Sequence, residues 1–302
     1  MPTPLALTRS SLSPDVLPFF KALADETRLT ILRLLALTDL KSGEIVAQLR
    51  VPQNAVSYHL KHLRALGLLR DHRSDVDARD VYYSLDLDRL RALYAAAGAT
   101  LQVPGCVGVA SGQGADAEGA EGAEGAEGGE GGDKPAEGTG RPLRVLFLCT
   151  HNSARSQLAE GIARRMGGEQ VEVYSAGSEP TGVHPDAAAL LAEWGIDPSA
   201  HRATPLDAFA GHTFDYIITV CDRVRDRCPV FPGDPAQVHW SFPDPVAIAD
   251  DADRRRAFHT VGRELATRVG YLLTLPHPAT GRRLHVRDQR ADVATVATVA
   301  AS

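Results

Sequence analysis

The sequence predicts an α/β protein with two domains, of which the first is helical and ends in a β-hairpin and the second is a doubly wound parallel sheet. Three observations support this prediction. The 302 residues allow about two domains of ordinary size. An acidic segment rich in Gly, Ala and Glu divides the chain at residues 105–141. Beyond it, apolar runs of strand length alternate with amphipathic helical stretches, which is typical of a parallel sheet.

The dividing segment carries most of the net charge of the chain. Residues 105–140 hold eight acidic side chains and one lysine, whereas the whole chain has a net charge of −6. Because the segment repeats Gly, Ala and Glu and has little to bury, we expect a solvated, self-repelling linker. The predicted boundaries are 1–104 for the first domain, 105–141 for the linker, 142–276 for the second domain and 277–302 for a flexible tail.

Helical patterns dominate the first domain. A short apolar stretch from Val16 to Phe20 precedes a longer one, ALADETRLTILRLLAL, with apolar residues at helical spacing. Two more helices are predicted at SGEIVAQLR and PQNAVSYHLKHLRALGLL, the second with Pro52 in its first turn and Gly67 at its end. In LLRDHRSDVDARDVYYSL, two runs flank a polar turn at residues 74–78, which predicts a β-hairpin.

This order of elements is the layout of a winged helix-turn-helix, in which the helix that begins at Pro52 would enter the major groove of duplex DNA. Polar side chains early on that helix, and arginines beside the hairpin turn, are candidate contacts to bases or phosphates. These residues are Gln53, Asn54, Ser57, Tyr58, Lys61, Arg73 and Arg79. A solvated face would carry the same residue types, and for each single residue that alternative stays open.

The second domain begins with VLFLCT, a continuous apolar run of the kind that is buried in a parallel sheet. It leads through a polar loop into the helical stretch SQLAEGIARRM. Further strands are predicted at VEVYSAG and FDYIITVC, and further helices at PDAAALLAEWG and FHTVGRELATRVGYLLTL. Such alternation predicts helices on both faces of the sheet.

The loop CTHNSARS, after the first of these strands, has the residues of an oxyanion site. Cys149 ends the strand and Arg155 follows six positions later, just before a helix. The loop N–H groups can converge on a tetrahedral anion, while the helix N-terminus and the guanidinium add positive potential. We expect the same field to stabilise a nucleophilic thiolate at Cys149. The alternative is a buried structural cysteine before an ordinary turn. The loop residues in question are Thr150, His151, Asn152, Ser153, Ala154 and Ser156.

The motif CTHNSARSQLAEG, followed by YSAG, resembles the phosphate-binding loop of low-molecular-weight tyrosine phosphatases and of their arsenate reductase relatives. The resemblance covers nearly all of residues 143–275 and implies the fold of that family. It further implies that Asn152 braces the loop and that Ser156 hydrogen-bonds to the Cys149 thiolate. By the same resemblance Asp244, in FPDP, is the general acid that protonates the departing oxygen.

Two further cysteines separate a reductase from a phosphatase. Cys221 and Cys228 lie seven positions apart in VCDRVRDRCP. Ester hydrolysis needs one cysteine, whereas reduction of As(V) to As(III) takes two electrons, which two thiols supply by forming a disulfide. The pattern resembles the thioredoxin-coupled arsenate reductases. This resemblance implies that Cys149 attacks arsenate, that Cys221 attacks the adduct and releases arsenite, and that Cys228 takes over the disulfide.

The spacing of the last two thiols has a mechanical consequence. If the residues between Cys221 and Cys228 begin as a helix, almost two turns separate the thiols, and a bond requires local unwinding. Unwinding would expose the disulfide to an external reductant, either thioredoxin or a low-molecular-weight thiol. We predict no bound cofactor, and no histidine has a spacing that indicates a catalytic metal.

Over residues 15–95, ALADETRLTILRLL and VSYHLKHLRALGLL resemble the ArsR-type metalloregulators. The resemblance implies a homodimeric repressor, paired through this domain, that binds double-stranded operator DNA. The common arsenite site of that family uses a cysteine pair on the helix written here as EIVAQLR, which has no cysteine. Cys106 is the only thiol of this part of the chain and a possible arsenite ligand, if a second subunit or the other domain supplies more thiols.

Together the motifs predict an arsenic-responsive repressor fused to an arsenate reductase. Two alternatives stay open: a low-molecular-weight protein tyrosine phosphatase tethered to a DNA-binding domain, and a transcription factor that senses an oxyanion or the redox state without turnover. Four cysteines are too few for a disulfide scaffold, and no apolar run reaches the roughly 18 residues of a membrane span. We therefore expect a protein of the reducing cytoplasm, with no membrane partner.

Overall fold

The computed structural model describes residues 13–101, 141–278 and 280–281. The predicted linker except Arg141, together with Cys106 and nearly all of the predicted tail, lies outside these residues. Within the described part, no helix combines the length and the apolar character needed to cross a membrane.

The N-terminal domain follows the predicted order of helices and hairpin. Its elements are α1 (Val16–Leu23), α2 (Glu26–Leu37), β1 (Leu40–Lys41), α3 (Ser42–Leu49), α4 (Gln53–Ala65), β2 (Leu69–Arg73), β3 (Val81–Leu85) and α5 (Leu87–Leu101). The strands form an antiparallel sheet in the order β1-β3-β2. The winged helix-turn-helix prediction is confirmed. The short β1 and the long α5 were not predicted.

Local chemistry explains where these helices begin and end. The Asp25 carboxylate accepts a hydrogen bond from the Arg28 N–H at 2.8 Å and so caps α2 at its start. Gly67, at a φ of 68°, turns the chain after α4 in a conformation that costs a glycine little. The apolar faces of α1 to α4 meet in one core, in which Phe19, Ile31 and Ile45 are fully buried.

The C-terminal domain is an α/β sheet, as predicted. Its elements are β4 (Leu143–Cys149), α6 (Arg155–Gly167), β5 (Val171–Gly177), α7 (Pro185–Glu193), β6 (Tyr216–Thr219), α8 (Asp222–Arg225), β7 (Ala236–His239) and α9 (Asp251–Leu272). All four strands are parallel, in the order β5-β4-β6-β7. The last helix begins seven residues before the predicted start at Phe258, because the Asp250 carboxylate caps it by accepting from the Asp253 N–H.

The strand β7 was not predicted. It has only four residues, and its side chains change from exposed to buried along its length, so its sequence lacks a strand pattern. Beyond α9 the chain stays packed as far as His277, whose buried imidazole lies 3.5 Å from the Asp215 carboxylate.

The two domains pack against each other through the end of α2 and the end of β7. Trp240 donates from its indole nitrogen to the Leu37 carbonyl at 2.9 Å, and the Asp39 N–H donates to the His239 carbonyl at 2.7 Å. The Asp39 carboxylate is fully buried and pairs with Arg268 of α9 at 2.8 Å. Nothing in the sequence predicts this contact, because it joins residues about 200 positions apart that carry no shared pattern.

Close packing of α9 against α7 gives a test of the C-terminal core. A Cβ at Gly262 would lie 2.8 Å from the Trp194 ring and 3.0 Å from a methyl of Leu190. We expect Gly262→Ala to lower the free energy of unfolding by about 1–3 kcal/mol through overpacking, measured by urea denaturation. Adding Trp194→Phe should make room, so the double variant should lose less than the sum of the single losses. Strictly additive losses would contradict this packing.

Candidate active site

The predicted oxyanion loop lies at the carboxyl end of the central strand. β4 pairs with β5 on one side and β6 on the other, and it ends at Cys149. The chain then curls through residues 150–154 into α6, whose first residue is Arg155. In parallel sheets this edge is where ligands bind, because the loops and helix N-termini converge there.

Asn152 shapes the loop. Its backbone is left-handed, with a φ of 46°, a conformation that asparagine tolerates better than most residues. Its buried side-chain amide donates to the hydroxyl oxygens of Ser156 at 2.9 Å and Ser175 at 2.8 Å, and its amide oxygen accepts from the Thr204 N–H at 2.7 Å. Three separate segments therefore hold this one side chain.

Two more buried side chains complete this network, and sequence reasoning missed them. Gln157 donates to both the carbonyl and the side-chain oxygen of Asn152, each at 3.1 Å. Its own amide oxygen lies 2.8 Å from a ring nitrogen of His201, which is also buried. The only sequence signal was the position of Gln157, two residues after the loop arginine.

Gly177, the last residue of the YSAG motif, lets the loop approach the end of β5. A Cβ at this position would lie 2.7 Å from the Thr150 carbonyl oxygen and 2.8 Å from the Asn152 nitrogen. Both contacts involve backbone that has no room to move. The glycine is therefore required by close approach rather than by its own backbone angles.

The Cys149 thiol is buried and hydrogen-bonded within the loop. Its sulfur accepts from the Asn152 N–H at 3.1 Å and lies 2.9 Å from the Ser156 hydroxyl oxygen. Burial raises the pKa of Cys149, and the neighbouring Cys221 raises it further, while the Ser156 hydroxyl and the Arg155 charge lower it. The predicted net stabilisation of the Cys149 thiolate is wrong in its direction, because desolvation outweighs the positive field of the loop.

Arg155 lies at the edge of the loop, with its guanidinium held by oxygen atoms from two other segments. It donates to the Phe242 carbonyl at 2.8 Å, and it lies 3.2 Å from the Asp244 carboxylate. A second carboxylate, that of Asp75 in the hairpin of the first domain, lies 3.8 Å away. Sequence reasoning missed Asp75 at this site, because only the packing of the domains brings it there.

An open cavity of roughly 400 Å³ lies above the loop. Cys149, Arg155 and Asp244 line it together, as their predicted shared role requires. The remaining lining comes from the loop itself and from two neighbouring segments, namely Thr150, His151, Ser153, Ala154, Thr181, His184, Val246 and Ala247. The arrangement can hold a small anion against a sulfur nucleophile with a carboxyl group beside it.

The second thiol lies beside the loop. Cys221 is buried directly after β6, and its sulfur lies 3.4 Å from the Thr150 hydroxyl oxygen. Cys228 is half-buried, and burial raises the pKa of its thiol. Between them α8 forms a single turn, and hydrogen bonds from Arg227 N–H to Val224 and from Cys228 N–H to Arg225 continue helical turns to Cys228. All three thiols described are free.

The predicted DNA contacts lie in the other domain. Five are exposed on α4: Gln53, Asn54, Ser57, Tyr58 and Lys61. The Ser57 hydroxyl donates within the helix to the Gln53 carbonyl. At the hairpin, Arg73 donates to the Ala78 carbonyl, and Arg79 pairs with Asp77, whose pKa its hydrogen bonds lower to about 2. Within the described residues, no group of histidine, cysteine and carboxylate side chains could hold a metal ion.

Comparison with known proteins covers both domains. Residues 144–275 match the family described as low molecular weight phosphotyrosine protein phosphatase, and residues 25–71 match the bacterial regulatory proteins of the arsR family. The chain is 38% identical over 126 residues to an arsenate reductase of Halalkalibacterium halodurans, covering 41% of this chain and 91% of that protein. It is 38% identical over 114 residues to an arsenate reductase of Bacillus subtilis, covering 38% of this chain and 82% of that protein.

A thioredoxin-dependent arsenate reductase of Corynebacterium glutamicum is among the similar solved structures. It shares 31% identity with a TM-score of 0.36, over 44% of this chain and 61% of that chain. The match to the phosphatase family lies in the C-terminal domain, and the arsR-family match lies in the N-terminal domain. The chain belongs to the arsenate reductases of the low-molecular-weight phosphotyrosine protein phosphatase family, here joined to a regulatory domain of the arsR family.

Proposed function

We propose that the C-terminal domain reduces arsenate to arsenite through a relay of three thiols, Cys149, Cys221 and Cys228. The observation that carries this proposal is the position of Cys221, buried against the oxyanion loop with its sulfur 3.4 Å from the Thr150 hydroxyl oxygen. A phosphatase has no use for a second thiol at this place, whereas a two-electron reduction requires one.

In the first step the Cys149 thiolate attacks the arsenic atom and an oxygen leaves as water. The loop N–H groups and Arg155 stabilise the charge on the remaining oxygens. Asp244, which lines the same cavity, donates the proton to the departing oxygen. Arg155 lies 3.2 Å from the Asp244 carboxylate, which places the guanidinium and the general acid beside the same oxygen atoms.

In the second step the Cys221 thiolate attacks the Cys149 sulfur. A Cys149–Cys221 disulfide forms, the sulfur–arsenic bond breaks, and its electron pair stays on arsenic, which leaves as arsenite. Cys228 then attacks the Cys221 sulfur, which frees Cys149 and leaves a Cys221–Cys228 disulfide. An external thiol reductant, either thioredoxin or a low-molecular-weight thiol, reduces this last bond and completes the cycle.

For the N-terminal domain we propose a repressor that binds double-stranded operator DNA as a homodimer. The exposed polar face of α4, with Gln53, Asn54 and Lys61, supports this proposal. Arsenite as the inducer would need thiolate ligands, for which Cys106, outside the described residues, is the candidate in this part of the chain. The domain boundaries proposed from the sequence, with a linker at 105–141, agree with this division of labour.

The relay is tested by arsenate-dependent NADPH consumption with thioredoxin and thioredoxin reductase. We expect sustained turnover in the wild type, and a loss of about a thousandfold or more in each of Cys149→Ser, Cys221→Ser and Cys228→Ser. Hydrolysis of para-nitrophenyl phosphate separates the roles, because it should survive Cys221→Ser and not Cys149→Ser. Sustained turnover in Cys228→Ser would contradict the proposed electron route through Cys228. The absence of arsenate-dependent turnover with any thiol donor would refute the proposed reductase activity.

Ionisation of the nucleophile is tested by alkylation. Since the Ser156 hydroxyl lowers the pKa of Cys149, Ser156→Ala should raise that pKa further, because the thiolate loses a hydrogen bond. At a given pH less thiolate is then present, so alkylation by iodoacetamide, followed at the Cys149 peptide by mass spectrometry, should need a higher pH. The exposed Ser178 serves as the control through Ser178→Ala. An unchanged midpoint in Ser156→Ala would exclude this role.

DNA binding is tested through the salt dependence of affinity. If Lys61 contacts a phosphate, Lys61→Ala should weaken binding to duplex DNA from upstream of its own gene, and it should make the slope of log affinity against log salt shallower by about 0.9. The exposed Lys21 on α1 provides a matched control through Lys21→Ala. Equal slopes for Lys61→Ala and the wild type would remove Lys61 from the interface.

A further inference from the structure

The segment between Cys221 and Cys228 belongs to the interface between the two domains. We propose that this segment and β7 form a docking surface for the chain's own winged-helix domain, and that closing the Cys221–Cys228 disulfide loosens the docking. The inference rests on the proposed thiol relay for its role in the cell, but its physical content concerns only these two thiols and the contacts between them. It assigns to the reductase domain a partner surface that changes with its redox state.

The first contact is made by Arg225, the last residue of α8. Its guanidinium donates to the Glu44 carboxylate of α3 at 2.6 Å and lies over the Tyr82 ring of β3, 5.1 Å from the ring centre. Tyr82 is buried under this contact. Two elements of the winged-helix domain therefore bind the Arg225 side chain, α3 through an ion pair and β3 through a cation–π contact.

The second contact is made by Asp222, the residue next to Cys221. Its buried carboxylate accepts from the Asp75 N–H in the hairpin turn at 3.2 Å, and also from the Ser241 hydroxyl at 2.8 Å. His239 lies 3.1 Å away on the same carboxylate. Burial alone would raise the pKa of Asp222, but the hydrogen bonds from His239 and Ser241 outweigh it and lower the pKa to about 2. The docked hairpin thus rests on a permanently charged group at the start of α8.

The winged-helix domain also lies beside the last thiol. Cys228 lines a cavity of roughly 250 Å³ together with Thr38, Leu40 and Gln48 of the first domain. A disulfide at Cys228 would therefore lie next to a space that both domains line.

Disulfide closure cannot leave these contacts in place. The helix α8 runs from Asp222 to Arg225, and hydrogen bonds three residues back continue the turns to Cys228. Seven residues of regular helix would span roughly 10 Å, whereas the Cα atoms of a disulfide lie about 4.4–6.8 Å apart. The segment must therefore unwind to bring Cys228 to Cys221. Unwinding moves Arg225 away from Glu44 and Asp222 away from the hairpin, because both residues lie inside the closing loop.

The coupling works in both directions. If disulfide closure weakens docking by some factor, then docking disfavours the disulfide by the same factor, since both changes belong to one thermodynamic cycle. The strength of docking can also be changed through contacts that do not touch the thiols. The buried Asp39–Arg268 pair, at 2.8 Å, is the main contact of this kind.

The first test uses the full chain carrying Cys106→Ser and Cys149→Ser, so that only Cys221 and Cys228 can pair. Diamide, an azo oxidant, accepts two electrons and two protons from the two thiols, and mass spectrometry follows disulfide formation. We expect hydrogen exchange at the Asp75 amide and in α3 to accelerate about tenfold, the equivalent of ~1.4 kcal/mol of docking. Adding Cys228→Ser gives the control, in which diamide should leave exchange unchanged.

A complete disulfide with unchanged exchange would overturn the inference, and so would a pair that diamide does not close. Because the oxidation uses no arsenate, its outcome is separate from that of the relay. Loosened docking in a chain that fails to reduce arsenate would refute the proposed function alone. Normal turnover with unchanged exchange would refute this inference alone.

The second test weakens the docking and measures the disulfide. In the same two-thiol background, Asp39→Asn leaves Arg268 without its charged partner, and the equilibrium constant for the Cys221–Cys228 disulfide in a glutathione redox buffer should rise, by up to about the same tenfold factor. The exposed Asp88 on α5 supplies the matched control through Asp88→Asn. Should Asp39→Asn fail to fold, as judged by circular dichroism, Glu44→Gln removes the charge that holds Arg225 while keeping an oxygen to accept from the Lys41 N–H. An equilibrium constant unaffected by the folded variant would overturn the coupling.

Discussion

The geometry of the anion loop depends on one buried amide. Asn152 reverses the chain direction in a left-handed conformation, and its side chain ties the loop to β5, to α6 and to the segment at Thr204. Backbone N–H groups bind an oxyanion well only when they are held in place before it arrives. Each bond that fixes Asn152 therefore also fixes the direction of the loop N–H groups. Gly177, which has no Cβ, leaves the space that the loop backbone needs in this conformation.

The same burial that orders the loop opposes ionisation of its nucleophile. The Cys149 sulfur is enclosed, so the thiolate loses its hydration and must rely on the Asn152 N–H, the Ser156 hydroxyl and the more distant Arg155 charge. Arg155 is shared among the Phe242 carbonyl and two carboxylates. These carboxylates partly neutralise the positive charge at the loop.

Buried charges set how the two domains meet. Asp39 of the first domain and Asp222 of the second are each enclosed at the interface, and each receives partners from the opposite domain. A buried carboxylate without partners is costly, so only an arrangement of the domains that supplies these partners can enclose both groups. Apolar side chains contribute as well, with Leu37 packed on the core of the second domain and Tyr271 on the core of the first.

Most of the architecture was predictable from local patterns. Apolar periodicity located the long helices and the inner strands, and the composition of VCDRVRDRCP indicated two candidate redox thiols. The elements that escaped prediction were short or ambiguous, such as β7, whose four residues form a strand only because β6 offers a free edge. For the site, the spacing from Cys149 to Arg155 was sufficient, since one loop supplies both groups. Gln157 and His201 were missed because their roles depend on contacts with residues far along the chain.

The sequence by itself determined the two folds, the nucleophile with its anion loop, and the candidate thiols, because each of these is encoded within one continuous stretch of residues. Tertiary structure alone decided the direction of the shift in the Cys149 pKa, since burial of the sulfur depends on the whole domain around it. It also decided that Asp75 lies beside Arg155 and that Glu44 holds Arg225. Those contacts arise from the packing of one domain on another, and packing depends on shape and charge across surfaces that no local pattern encodes.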